Sequence, residues 1–319
     1  MRLLLAPMEG VLDHHLRALM SSIGGIDICV TEFIRVNEHL MSTRTFTRNC
    51  PELLTHSRTA SGTPVRVQLL GGQPAPMAEN AAMLATLNPA AIDLNFGCPA
   101  KTVNKSDGGA VLLQTPERLY NIISAVRQAV PNHIPVTAKI RLGFNDRSMY
   151  LENAQAALSA GANELAVHAR SKADGYKPPA YWEYVAEINS ALPIPVIANG
   201  EIWSLDDYRR CKAVTGCEDF MMGRGLLAFP DLAKAIHAEA SGEHYTPMPW
   251  KSISLLLWDF QASTSRHYPD KYLGNRVKQW LMYLQRQYPQ AQRLFDEIKR
   301  LKTADDINQK LTESQAWLS

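Results

Sequence analysis

Short apolar runs recur along the first 225 residues, separated by intervals that are mostly long enough to hold a helix. They predict eight strands: Leu3–Leu5, Ile28–Thr31, Val65–Leu69, Ile92–Asn95, Val136–Ile140, Leu165–His168, Val196–Asn199 and Phe220–Gly223. Between them, helical composition or periodicity predicts helices over Ala78–Leu87, Pro116–Val130, Leu151–Ala160, Trp182–Ala191 and Leu205–Val214. Strands that alternate with helices eight times predict an α/β fold, a (β/α)8 TIM barrel.

The pattern changes beyond Gly242, where Thr246 to Pro249 break the chain and no further strand-like alternation follows. We therefore expect a barrel domain over 1–242 and a small all-helical domain over 243–319. One predicted helical face of this second part should pack, and it consists of Val277, Trp280, Leu281, Leu284 and Tyr288. The side chains expected on its flanks and free side are Arg276, Lys278, Gln279 and Arg286.

Composition is that of an ordinary globular protein, with 319 residues, 46% apolar and 20% charged. The apolar run at the N-terminus is interrupted by Pro7 and Glu9, which makes it too short for a signal peptide, and no stretch could span a bilayer. The five cysteines are odd in number and form no CxxC pair, which argues against a disulfide framework or a thiolate zinc site. We expect a cytoplasmic protein without a metal centre, and nothing indicates assembly beyond a monomer.

Charge is unevenly distributed, although the net charge is only +2. Residues 245–319 hold 11 Lys and Arg against 7 Asp and Glu, and 11 aromatic residues lie among them. A basic, aromatic segment suits a polyanionic partner such as RNA with unpaired bases. Solvated helix faces and an aromatic core would give the same composition, so both interpretations stay open here.

Polar or glycine residues cluster where the predicted strands end, and in a barrel all these ends surround one pocket. A cysteine, Cys98, lies there between Gly97 and Pro99, which force a turn and should make the thiol project from the strand end. It is either a proton donor or nucleophile, or an inert buried thiol. The other residues at these ends are Pro7-Met8-Glu9, Glu32 and Arg35, Gln68, Asn95, Lys139 and Arg141, His168 and Arg170, Asn199-Gly200-Glu201 and Gly223-Arg224-Gly225.

Glycines after the last two strands indicate a phosphate site, because Gly200 and Gly223 leave backbone N–H groups open to an anion. Arg224 would add a charge-assisted bond. A phosphorylated cofactor or substrate is one interpretation, and plain turns beside a surface arginine are the other. Lys139 would point inward, either to pair with an acid or to bring positive charge to a bound ring.

Seven ordered motifs, which together span nearly the whole chain, resemble those of the tRNA-dihydrouridine synthases, flavin enzymes that reduce uridine in tRNA. The most specific motif is Asp93-Leu94-Asn95-Phe96-Gly97-Cys98-Pro99 with Lys101 and Gly108-Gly109. The others are Ala6-Pro7-Met8-Glu9-Gly10, Val67-Gln68-Leu69, Lys139-Ile140-Arg141-Leu142-Gly143, Val167-His168-Ala169-Arg170, Ile197-Ala198-Asn199-Gly200-Glu201-Ile202 and Met222-Gly223-Arg224-Gly225.

The resemblance implies FMN in the barrel mouth, with NADPH or NADH as its reductant. It implies that Cys98 is the catalytic acid, giving a proton to C5 of uracil after a hydride reaches C6. The residues that would hold FMN are Pro7, Met8, Glu9, Gln68, Lys139, His168, Asn199, Gly200, Glu201, Gly223 and Arg224.

The resemblance is greatest to the bacterial C-type subfamily, which acts at uridine 16 of the tRNA D-loop. The residues implied in tRNA contact are Arg35, Asn95, Tyr176, Arg276, Lys278 and Lys299. Lys299 departs from the arginine of the subfamily pattern, which keeps the charge but loses bidentate geometry. Two rival functions remain: a barrel flavoenzyme for a small pyrimidine, similar to dihydroorotate dehydrogenases, and a tRNA-binding factor without turnover.

Overall fold

The computed structural model describes residues 1–266, 272 and 274–317. Its nine strands are all parallel: β1 (Leu3–Leu5), β2 (Ile28–Val30), β3 (Ile34–Arg35), β4 (Val65–Leu70), β5 (Ile92–Phe96), β6 (Val136–Arg141), β7 (Leu165–His168), β8 (Val196–Asn199) and β9 (Asp219–Met222). β1 pairs with both β2 and β9, and β2 pairs with β4, so eight strands close into a barrel. The predicted TIM barrel is confirmed.

The second barrel strand is interrupted, which the sequence reading missed. β2 pairs with the beginning of β4, and β3 pairs with the end of β4. Between them the Thr31 hydroxyl, 3.0 Å away, accepts the hydrogen bond of the Gln68 N–H, a bond that a backbone carbonyl would normally accept in the ladder. A side chain thus supplies a hydrogen bond of the sheet at the place where the strand is interrupted.

Helices surround the barrel, and the five predicted ones match the structure to within a few residues. The barrel helices are α1 (His14–Ile23), α2 (Thr43–Asn49), α3 (Pro74–Ala85), α4 (Lys101–Lys105), α5 (Pro116–Ala129), α6 (Tyr150–Ser159), α7 (Trp182–Ala191), α8 (Leu205–Thr215), α9 (Arg224–Ala228) and α10 (Leu232–Ala240). α3 and α5 each begin with a proline, which has no N–H to leave unsatisfied in the first turn.

Within the described residues, four α-helices follow the barrel: α11 (Trp250–Ser265), α12 (Asn275–Leu284), α13 (Pro289–Ile298) and α14 (Ala304–Ser314). The apolar face predicted around Trp280 is buried. The Trp280 indole N–H donates to the Leu227 carbonyl of the barrel at 3.0 Å. One hydrophobic core cluster contains residues of both the barrel and these helices. The division into two domains at residue 242 stays a prediction.

The expectation that the flanks of α12 are free was wrong for three of the four side chains. Arg276 and Gln279 donate to the carbonyl of Gly10 at 2.7 and 2.9 Å, and Lys278 donates to that of Leu301 at 2.6 Å. Long polar side chains here satisfy main-chain carbonyls at helix and loop ends, a use that periodicity does not reveal. Within the part of the chain that the structure describes, no helix is long and apolar enough to cross a membrane.

Candidate active site

A cavity of about 540 Å³ opens at the carboxyl ends of the barrel strands. This is the face at which TIM-barrel enzymes place their active sites. The structure brings to its wall every residue predicted for catalysis or cofactor binding: Pro7, Met8, Glu9, Gln68, Cys98, Lys139, His168, Asn199, Gly200, Glu201, Gly223 and Arg224. Asn95 and Tyr176 also line it. Their chemical roles stay predictions.

Hydrogen bonds hold the Cys98 loop at both the N–H and the carbonyl of this residue. The Cys98 N–H donates to the Asn95 side-chain oxygen at 2.9 Å, and the Cys98 carbonyl accepts from the Asn104 amide at 3.0 Å and from the Ala110 N–H at 3.1 Å. Gly109 has a positive φ of 69°, and a Cβ there would lie 2.9 Å from the Cys98 carbonyl oxygen. The Gly108-Gly109 motif therefore lets the chain pass directly against the cysteine.

The Cys98 thiol is half-buried, whereas the other four cysteines are buried. Burial raises its pKa, and the nearby Glu9 carboxylate adds to the rise, while the Ala100 N–H and the charges of Arg141 and Arg35 oppose it. The thiol therefore keeps its proton at neutral pH. A protonated thiol on a cavity wall can act as a proton donor.

A chain of hydrogen bonds leads from the barrel interior to this cysteine. The buried Asp93 carboxylate accepts from Thr137 and from the Gln68 amide, both at 2.6 Å. The Gln68 carbonyl oxygen accepts from the Asn95 amide at 2.8 Å, and the Asn95 oxygen accepts from the Cys98 N–H. The backbone N–H groups of Gly97 and Cys98 can only donate, so the Asn95 oxygen must accept, and this fixes the orientation of both amides. Burial raises the pKa of Asp93, and the bonds from Gln68 and Thr137 oppose that rise. Asn95 consequently has only N–H capacity left for a ligand.

Two nitrogen bases converge on the cavity floor. Burial, with a contribution from the Arg141 charge, lowers the pKa of Lys139 to about 8. Burial and the charges of Arg141 and Lys139 hold the pKa of His168 well below its usual range, so the imidazole is neutral. The Lys139 amine donates to the Asn199 side chain at 2.9 Å. The buried Nδ1 of His168 has no hydrogen-bond partner in the described part of the chain.

Close backbone approach shapes the wall formed after β8 and β9. A Cβ at Gly225 would lie 2.0 Å from the Ile202 carbonyl oxygen, so only glycine fits there. The Glu201 carboxylate is bound by the fully buried Arg170 at 2.5 Å. Because Arg170 neutralises that acid, the Arg224 guanidinium on the same wall can present positive charge to an anion.

The remaining residues predicted to contact tRNA lie outside the cavity wall. Arg35 is exposed at the end of β3. Arg276 is bound by the carbonyls of Gly10 and Val11 and forms an ion pair with Asp13 at 2.9 Å, and Lys278 is bound by Leu301. Lys299 is exposed and pairs with Asp296 at 2.7 Å. Their contact with tRNA stays a prediction.

Among the side chains of the cavity wall that sequence reasoning missed, three carry an N–H or O–H group that can donate to a ligand: Arg141, Trp203 and Tyr283. Arg141 was noted only as a strand-end residue; it donates to the carbonyls of Gly97 and Gly175 at 2.8 and 3.0 Å and so connects the Cys98 loop to the loop after β7. Trp203 and Tyr283 carried no motif signal, and Tyr283 reaches the cavity from α12. A large aromatic residue immediately after a strand-end motif was the available signal for Trp203.

The parallel barrel and its single converging site define a TIM-barrel enzyme. Two solved structures share the fold: a 2-naphthoyl-CoA reductase complex (TM-score 0.56, 13% identity, 76% of this chain and 50% of that one) and an old yellow enzyme homologue from Zymomonas mobilis (TM-score 0.52, 10% identity, 77% and 90%). The chain thus spans half the length of the first.

The family model described as dihydrouridine synthase matches residues 4–317. Three similar proteins are named tRNA-dihydrouridine(16) synthase: those of Shewanella oneidensis (53% identity, 100% of both chains), Aquipseudomonas alcaligenes (51%, 98% of this chain and 100% of the relative) and Haemophilus influenzae (45%, 98% and 100%). The chain belongs to the dihydrouridine synthase family and is therefore an enzyme.

Proposed function

We propose that the protein reduces uridine to 5,6-dihydrouridine in the D-loop of tRNA, at position 16, with FMN as its cofactor and NADPH or NADH as reductant. The observation that carries the proposal is the Cys98 thiol on the cavity wall, whose pKa is raised by burial and whose loop is held by three hydrogen bonds to the Cys98 backbone. The names of the relatives supply the substrate and the position.

The cavity has the groups that a flavin phosphate requires. The orphaned Nδ1 of His168 and the spare N–H bonds of Lys139 would face the ring or its ribityl chain, and Arg224 with the backbone at Gly200 and Gly223 would hold the phosphate. Pro7, Met8, Glu9, Gln68, Asn199 and Glu201 would complete the site. Because Arg170 binds the Glu201 carboxylate, a contact from Glu201 would come from its backbone.

The residues named above would hold FMN, which in its reduced form would supply the hydride for C6 of the uracil ring. The chain's own task is then to deliver a proton to C5, where the electron pair of the C5=C6 bond resides. Cys98 Sγ–H is the donor: its bond to hydrogen breaks, a C–H bond forms at C5, and the thiolate regains a proton from water. The free N–H of Asn95 suits a uracil carbonyl oxygen, and Tyr176 would contact the same nucleotide.

The test follows reoxidation of the flavin after anaerobic reduction with limiting NADPH. Unmodified tRNA transcript should restore the oxidised spectrum in the wild type, whereas free uridine should not. C98A should bind FMN and be reduced normally but reoxidise about a hundredfold more slowly or worse, the scale for losing a general acid. Reoxidation of C98A at the wild-type rate would remove Cys98 from the reaction. Reoxidation by free uridine would favour the small-pyrimidine enzyme.

A further inference from the structure

Trp203 lines the cavity just after β8, and none of the predicted functions uses it. Two guanidinium groups lie over its indole ring, that of Arg224 at 4.9 Å and that of Arg286 at 3.9 Å from the ring centroid. Its indole nitrogen is buried and has no hydrogen-bond partner among the described residues. The ring therefore supports two cations by cation–π contact, one from the barrel and one from the C-terminal helices.

Arg286 lies against Trp203, a residue of the cavity wall. Tyr283 lines the cavity from α12, and the Arg286 N–H donates to the Tyr283 carbonyl at 3.1 Å, so the helical turn continues past the end of α12. Residues three apart on such a turn share a face. The guanidinium is thereby directed toward the cavity mouth, where it meets Trp203.

Arg286 also differs in its charge environment from its neighbours. Arg276 pairs with Asp13, Arg293 with Glu297 and Lys299 with Asp296. Arg286 is exposed and has no ion pair or hydrogen bond from its side chain within residues 1–266, 272 and 274–317. A guanidinium stacked on an aromatic ring keeps its in-plane N–H bonds free, and their fork matches two oxygens of a phosphate.

We propose that Arg286, supported by Trp203, binds a backbone phosphate of the tRNA strand beside the nucleotide that enters the cavity. This inference rests on the proposed function. A uridine that leaves its stack to reach the barrel mouth brings its flanking phosphates to the rim, and a cation held there fixes the strand. Arg224 also lies over the Trp203 ring, but it belongs to the cavity wall, where it would bind the cofactor phosphate.

The chain offers a matched control for the test. Arg293 is also an exposed arginine over an indole, 4.0 Å from the Trp317 ring, but it is paired with Glu297, and Trp317, unlike Trp203, does not line the cavity. Binding of unmodified tRNA to the FMN-loaded full-length protein would be measured for wild type, R286Q, R286K and R293Q at several salt concentrations. Steady-state turnover and NADPH-dependent flavin reduction would be measured alongside.

R286Q should weaken tRNA binding about tenfold at moderate salt and reduce the slope of log affinity against log salt by about one phosphate contact. It should raise KM and leave kcat and flavin reduction unchanged. R286K should retain the salt slope but bind less tightly, because it loses the fork. R293Q should match the wild type.

A salt slope and affinity for R286Q equal to the wild type, with a wild type that turns over tRNA, would overturn this inference alone. Equal losses in R286Q and R293Q would also overturn it, since they would show a general charge effect. A wild-type protein that neither binds nor reduces tRNA would overturn both this inference and the proposed function.

Discussion

Replacing Asp93 tests whether the hydrogen-bond chain beneath the cysteine fixes the two amides of the cavity wall. D93L removes the acceptor for the Gln68 amide while nearly preserving side-chain volume, so Gln68 can rotate and present an N–H to Asn95. D93N is the matched control. Its amide oxygen can still accept from Gln68, and its amide nitrogen can donate to the Thr137 hydroxyl, which turns to accept.

The size of the effect follows from the bonds lost. A hydrogen bond to a charged group contributes about 1.5–3 kcal/mol, and D93L leaves the Gln68 amide without that acceptor. The Gly97 and Cys98 N–H groups still orient the Asn95 oxygen in D93L, but a rotated Gln68 no longer accepts from the Asn95 amide. If the position of that amide depends on the same free energy, kcat/KM for tRNA should fall about 10- to 100-fold in D93L. D93N should stay within about threefold of the wild type, because both hydrogen bonds persist and only the one to Thr137 reverses its donor.

The assay is single-turnover reoxidation of the flavin by tRNA, with FMN content and the flavin spectrum recorded for each variant to show that the cavity still forms. Circular dichroism and a thermal melt would confirm folding. The reasoning is wrong if D93N loses as much as D93L, because the negative charge and not the direction of the hydrogen bonds would then matter. It is also wrong if D93L retains wild-type kcat/KM.

Three further predictions follow from the same geometry. In a denaturant titration, R276A should lower the free energy of unfolding by about 2–4 kcal/mol, since it removes a half-buried ion pair and two hydrogen bonds to carbonyls. K299A loses only an exposed ion pair and should change that free energy by less than about 0.5 kcal/mol. Because Lys139 has a pKa of about 8, below its ordinary 10.5, FMN affinity should fall as pH rises through 8, and fluorescence titration of K139M should show no such decrease. Iodoacetamide should alkylate Cys98 before the four buried cysteines but more slowly at pH 7 than a free cysteine, because its pKa is raised, and peptide mass spectrometry would detect the reverse order.

The barrel and its pocket were predictable because each strand is a short apolar run that ends in polar or glycine residues. Placing those ends on one face requires only the topology, and the predicted catalytic and cofactor residues that line the cavity all came from that argument or from the motifs. The break between β2 and β3 was not predictable in the same way, because the Thr31 hydroxyl substitutes for a backbone acceptor. No hydrophobic pattern records such a substitution.

The polar side of α12 shows a second limit of pattern reasoning. Periodicity separates a packing face of a helix from its other sides, and the prediction that the face around Trp280 is buried was correct. It does not show whether a long polar side chain reaches solvent or a carbonyl of another segment. Arg276, Lys278 and Gln279 do the latter, and only the structure shows it, since their partners at Gly10 and Leu301 are determined by the tertiary fold.

The hydrogen bonds from α12 to Gly10 couple the C-terminal helices to the cavity wall. Gly10 follows Glu9, so a shift of α12 moves the cavity wall, and the wall cannot adjust without moving the helix. Removing residues 246–319 would therefore release the loop that carries Met8 and Glu9 and expose the apolar surface beneath Trp280. Loss of activity in such a truncation would report on the shape of the flavin pocket as much as on RNA binding, and single substitutions at the rim are the informative way to separate the two.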